Sequence, residues 1–99
     1  MYQHIQQRNT ARQSYYSILD KLSGKRRVVF QGLIDIGPAS NLDVSKYLEV
    51  PINQITPRMN ELVKLEIVVE SHRAVHPETG KRVIYWKVKE EEKEQIPLF

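Results

Sequence analysis

Apolar residues recur at a helical period up to Leu65 and at an extended period after it, and breaks within the first stretch divide it into helices. From Ala11 they fall at Ala11, Tyr15, Ile18, Leu19 and Leu22, which a 100° step per residue gathers on one face, with Thr10 placed to cap the helix. Ser23 and Gly24 interrupt that pattern. A second helix is predicted from a Ser23 cap through Ile36, stopped by Gly37-Pro38 because a left-handed glycine followed by proline cannot continue a helix. Its apolar residues Val28, Val29, Phe30, Leu33, Ile34 and Ile36 make so wide a stripe that burial on most sides is expected, which puts this helix at the centre of the core. Ser40 and Asn41 offer cap oxygens for a short helix carrying Leu42, Val44, Tyr47 and Leu48 and closed by Val50-Pro51. The next helix, residues 53–65, has Ile55, Met59 and Leu62 at i, i+4 and i+7, supported by Val63, so these face inward.

Beyond Leu65, residues 67–75 and 82–88 are rich in β-branched and aromatic side chains, and His76-Pro77-Glu78-Thr79-Gly80-Lys81 between them supplies turn formers. A hairpin is predicted. Two strands alone are marginal in water, so the hairpin must lean on the helices, with Val83, Tyr85 or Trp86 as the contact. Two short helices joined by a tight turn and followed by a hairpin give a mainly α fold with a small β-hairpin. That is the order of a winged helix-turn-helix: a three-helix core, an N-terminal helix or arm and a C-terminal wing. Residues 1–9 are polar and aperiodic and read as a mobile arm bearing Arg8, residues 10–88 as the domain, and residues 89–99 as an acidic spacer ending in an apolar peptide.

With 99 residues and 40% apolar content the chain builds one modest core. Its formal charge of +3 conceals a division: residues 1–88 hold 13 Lys/Arg against 8 Asp/Glu, and residues 89–99 hold 2 against 4. A basic body suits a polyanionic partner. No cysteine is present, so neither a disulfide framework nor a thiolate metal site is available. No apolar run approaches the roughly 18 residues that span a bilayer, and Met1-Tyr2-Gln3-His4 does not open a signal peptide. A cytoplasmic protein with no membrane partner is expected.

The stretch Val50-Pro51-Ile52-Asn53-Gln54-Ile55-Thr56-Pro57-Arg58-Met59-Asn60-Glu61-Leu62, followed by Val68-Val69, then Thr79-Gly80-Lys81-Arg82 and Tyr85-Trp86, resembles small bacterial and phage winged helix-turn-helix proteins of the broad MarR-like kind. The resemblance spans about residues 23–88 and implies a double-stranded DNA-binding protein, with helix 53–65 in the major groove. Two residues depart from the pattern. Glu66 stands where such proteins often have glycine, which puts a standard helix end in question, and Pro57 is tolerated only near a helix start, so an irregular first turn is expected.

If Ile55, Met59 and Leu62 point inward, helical geometry sends Asn53, Thr56, Pro57, Asn60 and Lys64 outward, with Gln54, Arg58 and Glu61 on the flanks. Amides pair bidentately with adenine, Arg with guanine, and Thr touches a base or a phosphate. The candidate base contacts are therefore Gln54, Thr56, Arg58 and Asn60, with Asn53 beside them and Lys64 on phosphate. Arg73, His76, Lys81 and Arg82 on the hairpin are candidates for phosphate or minor-groove contact. The bland alternative for both groups is solvation of an exposed surface. Lys25-Arg26-Arg27 at the start of the second helix opposes the helix dipole, which favours a nearby anion or acidic partner, or plain solvation.

No catalytic or metal site is read from the chain, and no cofactor is expected. His4, His72 and His76 lack a ligand spacing, no phosphate-binding glycine loop occurs, and Glu90-Glu91-Glu92 is a charge run without a cleft. Gln95-Ile96-Pro97-Leu98-Phe99 resembles the short peptide by which bacterial polymerases and repair factors dock on the replicative sliding clamp. The resemblance would give Gln95 amide contacts and send Leu98 and Phe99 into an apolar cleft. The alternative is that these residues cover an apolar patch on their own domain or on a dimer partner. Two functions follow: a transcription regulator, expected to be a dimer through the Tyr15, Ile18 and Leu22 face or through the tail, or an adaptor on the clamp with a replication, phage or mobile-element role.

Overall fold

The computed structural model describes residue 15 and residues 17–89. The expected arm, the Thr10 cap, Ala11 and the peptide of residues 95–99 lie outside the described residues. Helix α1 covers residues 15 and 17–21, and is followed by α2 (Gly24–Ile36), α3 (Asn41–Leu48), α4 (Ile52–Lys64), β1 (Val68–Val75) and β2 (Arg82–Val88). Among the described residues, four helices and one antiparallel hairpin make a winged helix.

The core is where the periodicity placed it. Leu19, Val29, Phe30, Leu33, Val44, Ile55, Met59, Leu62 and Val68 are each at most 2% exposed, and Tyr15, Ile18 and Leu22 pack against them. The apolar stripe of α2 is narrower than its composition implied, since Val28 is 49% exposed. Gly32 lies in the middle of α2, and a Cβ there would stand 3.2 Å from Leu48, so its missing side chain lets α3 approach closely. Tyr47 of α3 turns outward at 50% exposure and donates its hydroxyl to Asp35.

Helix ends differ from the expected caps in informative ways. Ser23 has the extended backbone of a cap, yet its hydroxyl caps nothing. Ser40 does cap: its oxygen accepts the Asp43 N–H at 3.1 Å while Asp43 accepts the Ser40 N–H at 3.0 Å, a reciprocal box. Helix α4 starts at Ile52 with the Gln54 N–H reaching back to the Pro51 carbonyl at 2.9 Å, and Pro57 is its sixth residue. Proline there leaves the Asn53 carbonyl without its usual i+4 donor.

The far end of α4 corrects the doubt raised by Glu66. Glu66 takes a left-handed φ of 64°, its N–H donates to the Val63 carbonyl at 2.9 Å, and the Ile67 N–H donates to the Leu62 carbonyl at 3.3 Å. This is a Schellman closure with a glutamate in glycine's place. The chain then turns directly into β1.

The strands pair from Val68↔Val88 to Val75↔Arg82, with a bulge between Glu70 and His72. Val68 and Val88 anchor the inner end of the hairpin in the core, and half-buried Trp86 packs beside them. Of the three residues expected to make the contact, Trp86 is the one that packs on the core; Val88 was the missed partner. A second tie comes from Ala39, which exchanges backbone hydrogen bonds of 3.0 and 2.8 Å with Trp86 just before α3. No helix among the described residues is long and apolar enough to cross a membrane.

Candidate nucleic-acid interface

Helix α4 is held by its inner side and open on its outer side. Ile55, Met59 and Leu62 are at most 1% exposed, whereas Ile52, Asn53, Gln54, Pro57, Asn60 and Lys64 are all exposed. The amides of Asn53, Gln54 and Asn60 thus sit at solvent on an element whose position is set by buried packing.

The two flanks are less open than the outer strip. On one, the half-buried Thr56 hydroxyl accepts a hydrogen bond from Asn41 Nδ2 at 3.3 Å, which ties α4 to the start of α3. On the other, Arg58 Nη2 lies 3.0 Å from Glu61, and Arg26 of α2 donates to the same carboxylate at 2.8 Å. Arg58 is half-buried and its Nε is enclosed without a hydrogen-bond partner. The hydrogen bond from Arg26 holds the Glu61 carboxyl below the usual range, aided by the charges of Arg58, Arg26 and Lys64. Arg58 therefore faces a carboxylate that stays ionised.

Beside α4 the hairpin presents Thr79, Gly80, Lys81 and Arg82 at solvent, and the left-handed φ of 71° at Gly80 makes the turn possible. Arg73 is also exposed, with its guanidinium held by Glu70 at 2.9 and 3.3 Å. That hydrogen bond raises its pKa further and keeps it cationic.

His76 departs from its expected place. It is 2% exposed, so it is not a solvent-facing contact at the wing tip. Its Nδ1 accepts the Glu78 N–H at 3.1 Å, which leaves Nε2 as the protonated nitrogen that donates to Asp43 at 2.9 Å. Burial pulls the Asp43 pKa up, but the Ser40 N–H, His76 and the Ser40 side chain outweigh it and hold the carboxyl below the usual range. His76 thus pins the turn to the capping box of α3, and an ion pair between Lys46 and Glu78 adds a second link at the surface. The sequence carried a signal for half of this device, since Ser40 and Asp43 stand three apart at a helix start. Nothing local marks the histidine that reaches it from 33 residues away.

A groove of about 450 Å³ runs between these parts, lined among others by Asn41, Leu42, Ile52, Asn60, Lys81 and Trp86. Ile52 and Asn60 of α4 and Thr79 and Lys81 of the hairpin turn border it, so one exposed candidate contact from each element, Asn60 and Lys81, shares this concave surface.

No protein-family model matches the chain, and no curated protein does. A crystal structure of a MarR family transcription regulator is similar in fold, with a TM-score of 0.54 and 19% sequence identity over 88% of this chain. This chain spans 60% of the length of that one. The likeness bears on the winged-helix fold alone.

Proposed function

We propose that the chain is a sequence-specific double-stranded DNA-binding protein that acts as a transcription regulator, with α4 in the major groove and the hairpin as a wing on the flanking phosphates. The observation that carries this reading is the openness of α4: three amides and Lys64 project from a helix whose opposite side is buried. Lys81 and Arg82 on the hairpin and Lys64 on α4 supply exposed cations for phosphate contact. The similar fold of a MarR family transcription regulator supports the same assignment. Action is by binding alone, in the cytoplasm, with no catalytic residue, metal or cofactor.

The regulator works as a dimer in this reading, with recognition helices roughly 34 Å apart on a two-fold symmetric site. Tyr15, Ile18 and Leu22 are partly buried against the core of their own subunit, and pairing is through the part of that face left at solvent or through the C-terminal tail. The adaptor function rests on the sequence of residues 95–99 alone. Removing those five residues distinguishes it: the adaptor reading predicts lost clamp capture, and the regulator reading predicts unchanged DNA binding unless the tail makes the dimer.

Fluorescence anisotropy on a random-sequence duplex at increasing salt tests the assignment. Neutralisation of Z phosphates gives a slope near −0.9Z, so three to five cations at the interface predict roughly −3 to −5. Absent binding at low salt, or binding indifferent to salt, contradicts it.

A further inference from the structure

The base preference of α4 can be read from which of its groups are free, on the premise that α4 is the reading helix. Guanine is most often recognised by an arginine or lysine that donates two hydrogen bonds to O6 and N7. Helix α4 has one arginine and one lysine. Arg58 is turned into the flank, half-buried, and held 3.0 Å from a carboxylate that Arg26 also holds. Reaching a base would separate an ion pair already in place and leave the Glu61 charge to Arg26 alone. Lys64 is exposed but occupies the final turn, 11 residues and roughly 16 Å along the axis from Asn53. Base contacts in helix-turn-helix proteins concentrate in the N-terminal part of the reading helix, which leaves Lys64 to the backbone.

What the N-terminal turns do offer is of another kind. Asn53, Gln54 and Asn60 are exposed amides, suited to adenine N6 and N7. Ile52 is 44% exposed at the first turn, an unusual place for a large aliphatic side chain, and Pro57 adds a second apolar surface one turn on. In the major groove the apolar partner for such groups is the C5 methyl of thymine.

We propose that α4 selects A·T base pairs over G·C, with Asn53, Gln54 and Asn60 pairing to adenine, Ile52 and Pro57 packing on thymine methyls, and Glu61 withholding Arg58 from guanine. Glu61 is then a positioning residue for specificity: it touches no base, and it sets which side chain does.

Selection from a pool of random-sequence duplexes, followed by anisotropy on the enriched sequence, tests this with the full chain. The enriched core is expected to be A·T-rich, and replacing a contacted A·T pair by G·C should weaken binding about 5- to 150-fold. Substituting 7-deaza-adenine removes N7 and should cause a loss at the adenines; uracil for thymine removes the methyl and should cost about fourfold at a contacted position. Glu61→Gln should release Arg58 and move the enriched core toward guanine, and adding Arg58→Ala should move it back. An enriched guanine that depends on Arg58 in the unaltered chain overturns the inference while leaving DNA binding intact. So does an A·T preference unaffected by both base analogues, which would mark readout of duplex shape. Failure to enrich any sequence, with no salt-dependent affinity, removes the DNA-binding reading itself.

Discussion

Replacing His76 by alanine removes the pin between the hairpin turn and α3, and its cost can be worked from two hydrogen bonds. The bond from Nε2 to the ionised Asp43 spans 2.9 Å and the bond accepted by Nδ1 from the Glu78 N–H spans 3.1 Å. A bond to a charged group contributes about 1.5–3 kcal/mol and a neutral one about 0.5–1.5 kcal/mol. Asp43 keeps 33% of its side chain at solvent, so water takes over part of its lost partner and the total falls toward the lower end, about 2–3 kcal/mol. A domain of this length has about 5–15 kcal/mol of stability in all, so the loss is a large fraction of it. Urea unfolding followed by helical circular dichroism reads the change as a lower midpoint at unchanged slope. His76→Gln, which retains a donor for Asp43, should recover part of the loss. A loss below about 0.5 kcal/mol would refute the pin. In duplex titrations the variant should keep the salt slope of the parent; a slope reduced by about one unit would instead return His76 to the phosphate contacts.

Three further outcomes follow. Asp43 has a folded pKa below its ordinary value of 3.8, so its stabilisation is complete above that value and is lost as the pH falls through the folded pKa. Thermal midpoints of Asp43→Asn should therefore decline less steeply below about pH 4 than those of the parent, and parallel curves would contradict the role. Glu66→Gly should raise stability by about 0.5–1 kcal/mol in the same urea assay, because a left-handed residue with a Cβ costs roughly 1–2 kcal/mol and glycine's greater chain entropy offsets part of the gain; a destabilised variant would argue against the strain. On DNA, Asn60→Ala should lose about 1–3 kcal/mol on the selected site and little on random sequence, whereas Lys81→Ala should weaken both and flatten the salt slope. Identical behaviour of the two variants would dissolve the division between base and phosphate contacts.

Much of this architecture was legible because it rests on local periodicity. Ile55, Met59 and Leu62 share one helical face by spacing alone, and the same spacing leaves Asn53, Asn60 and Lys64 outward, as they are. The hairpin was legible from its turn residues and β-branched strands. What escaped was settled by partners distant in sequence. Arg58 looks like any exposed arginine until Arg26 and its own neighbour Glu61 are brought together by the packing of α2 on α4. His76 looks like a wing-tip cation until the turn folds it under against Asp43. The Ala39 tie to Trp86 is a backbone contact, and its side chains give no sign of it. Glu66 shows the converse, a local rule overridden: hydrogen bonds to Leu62 and Val63, and the need to enter β1 at once, hold a glutamate where glycine is ordinarily found.

The central claim is that the outward side of α4, with the hairpin turn beside it, meets the duplex. Titrating the isotope-labelled protein with its selected duplex and following the side-chain amide resonances of Asn53, Gln54 and Asn60 tests it directly, alongside the backbone signals of Lys64 and Lys81. Large shifts confined to these and to neighbouring residues of α4 and the hairpin turn are predicted. Shifts gathered instead around Lys25, Arg26 and Arg27 on α2, with the α4 amides unmoved, would place the nucleic acid elsewhere and contradict the account.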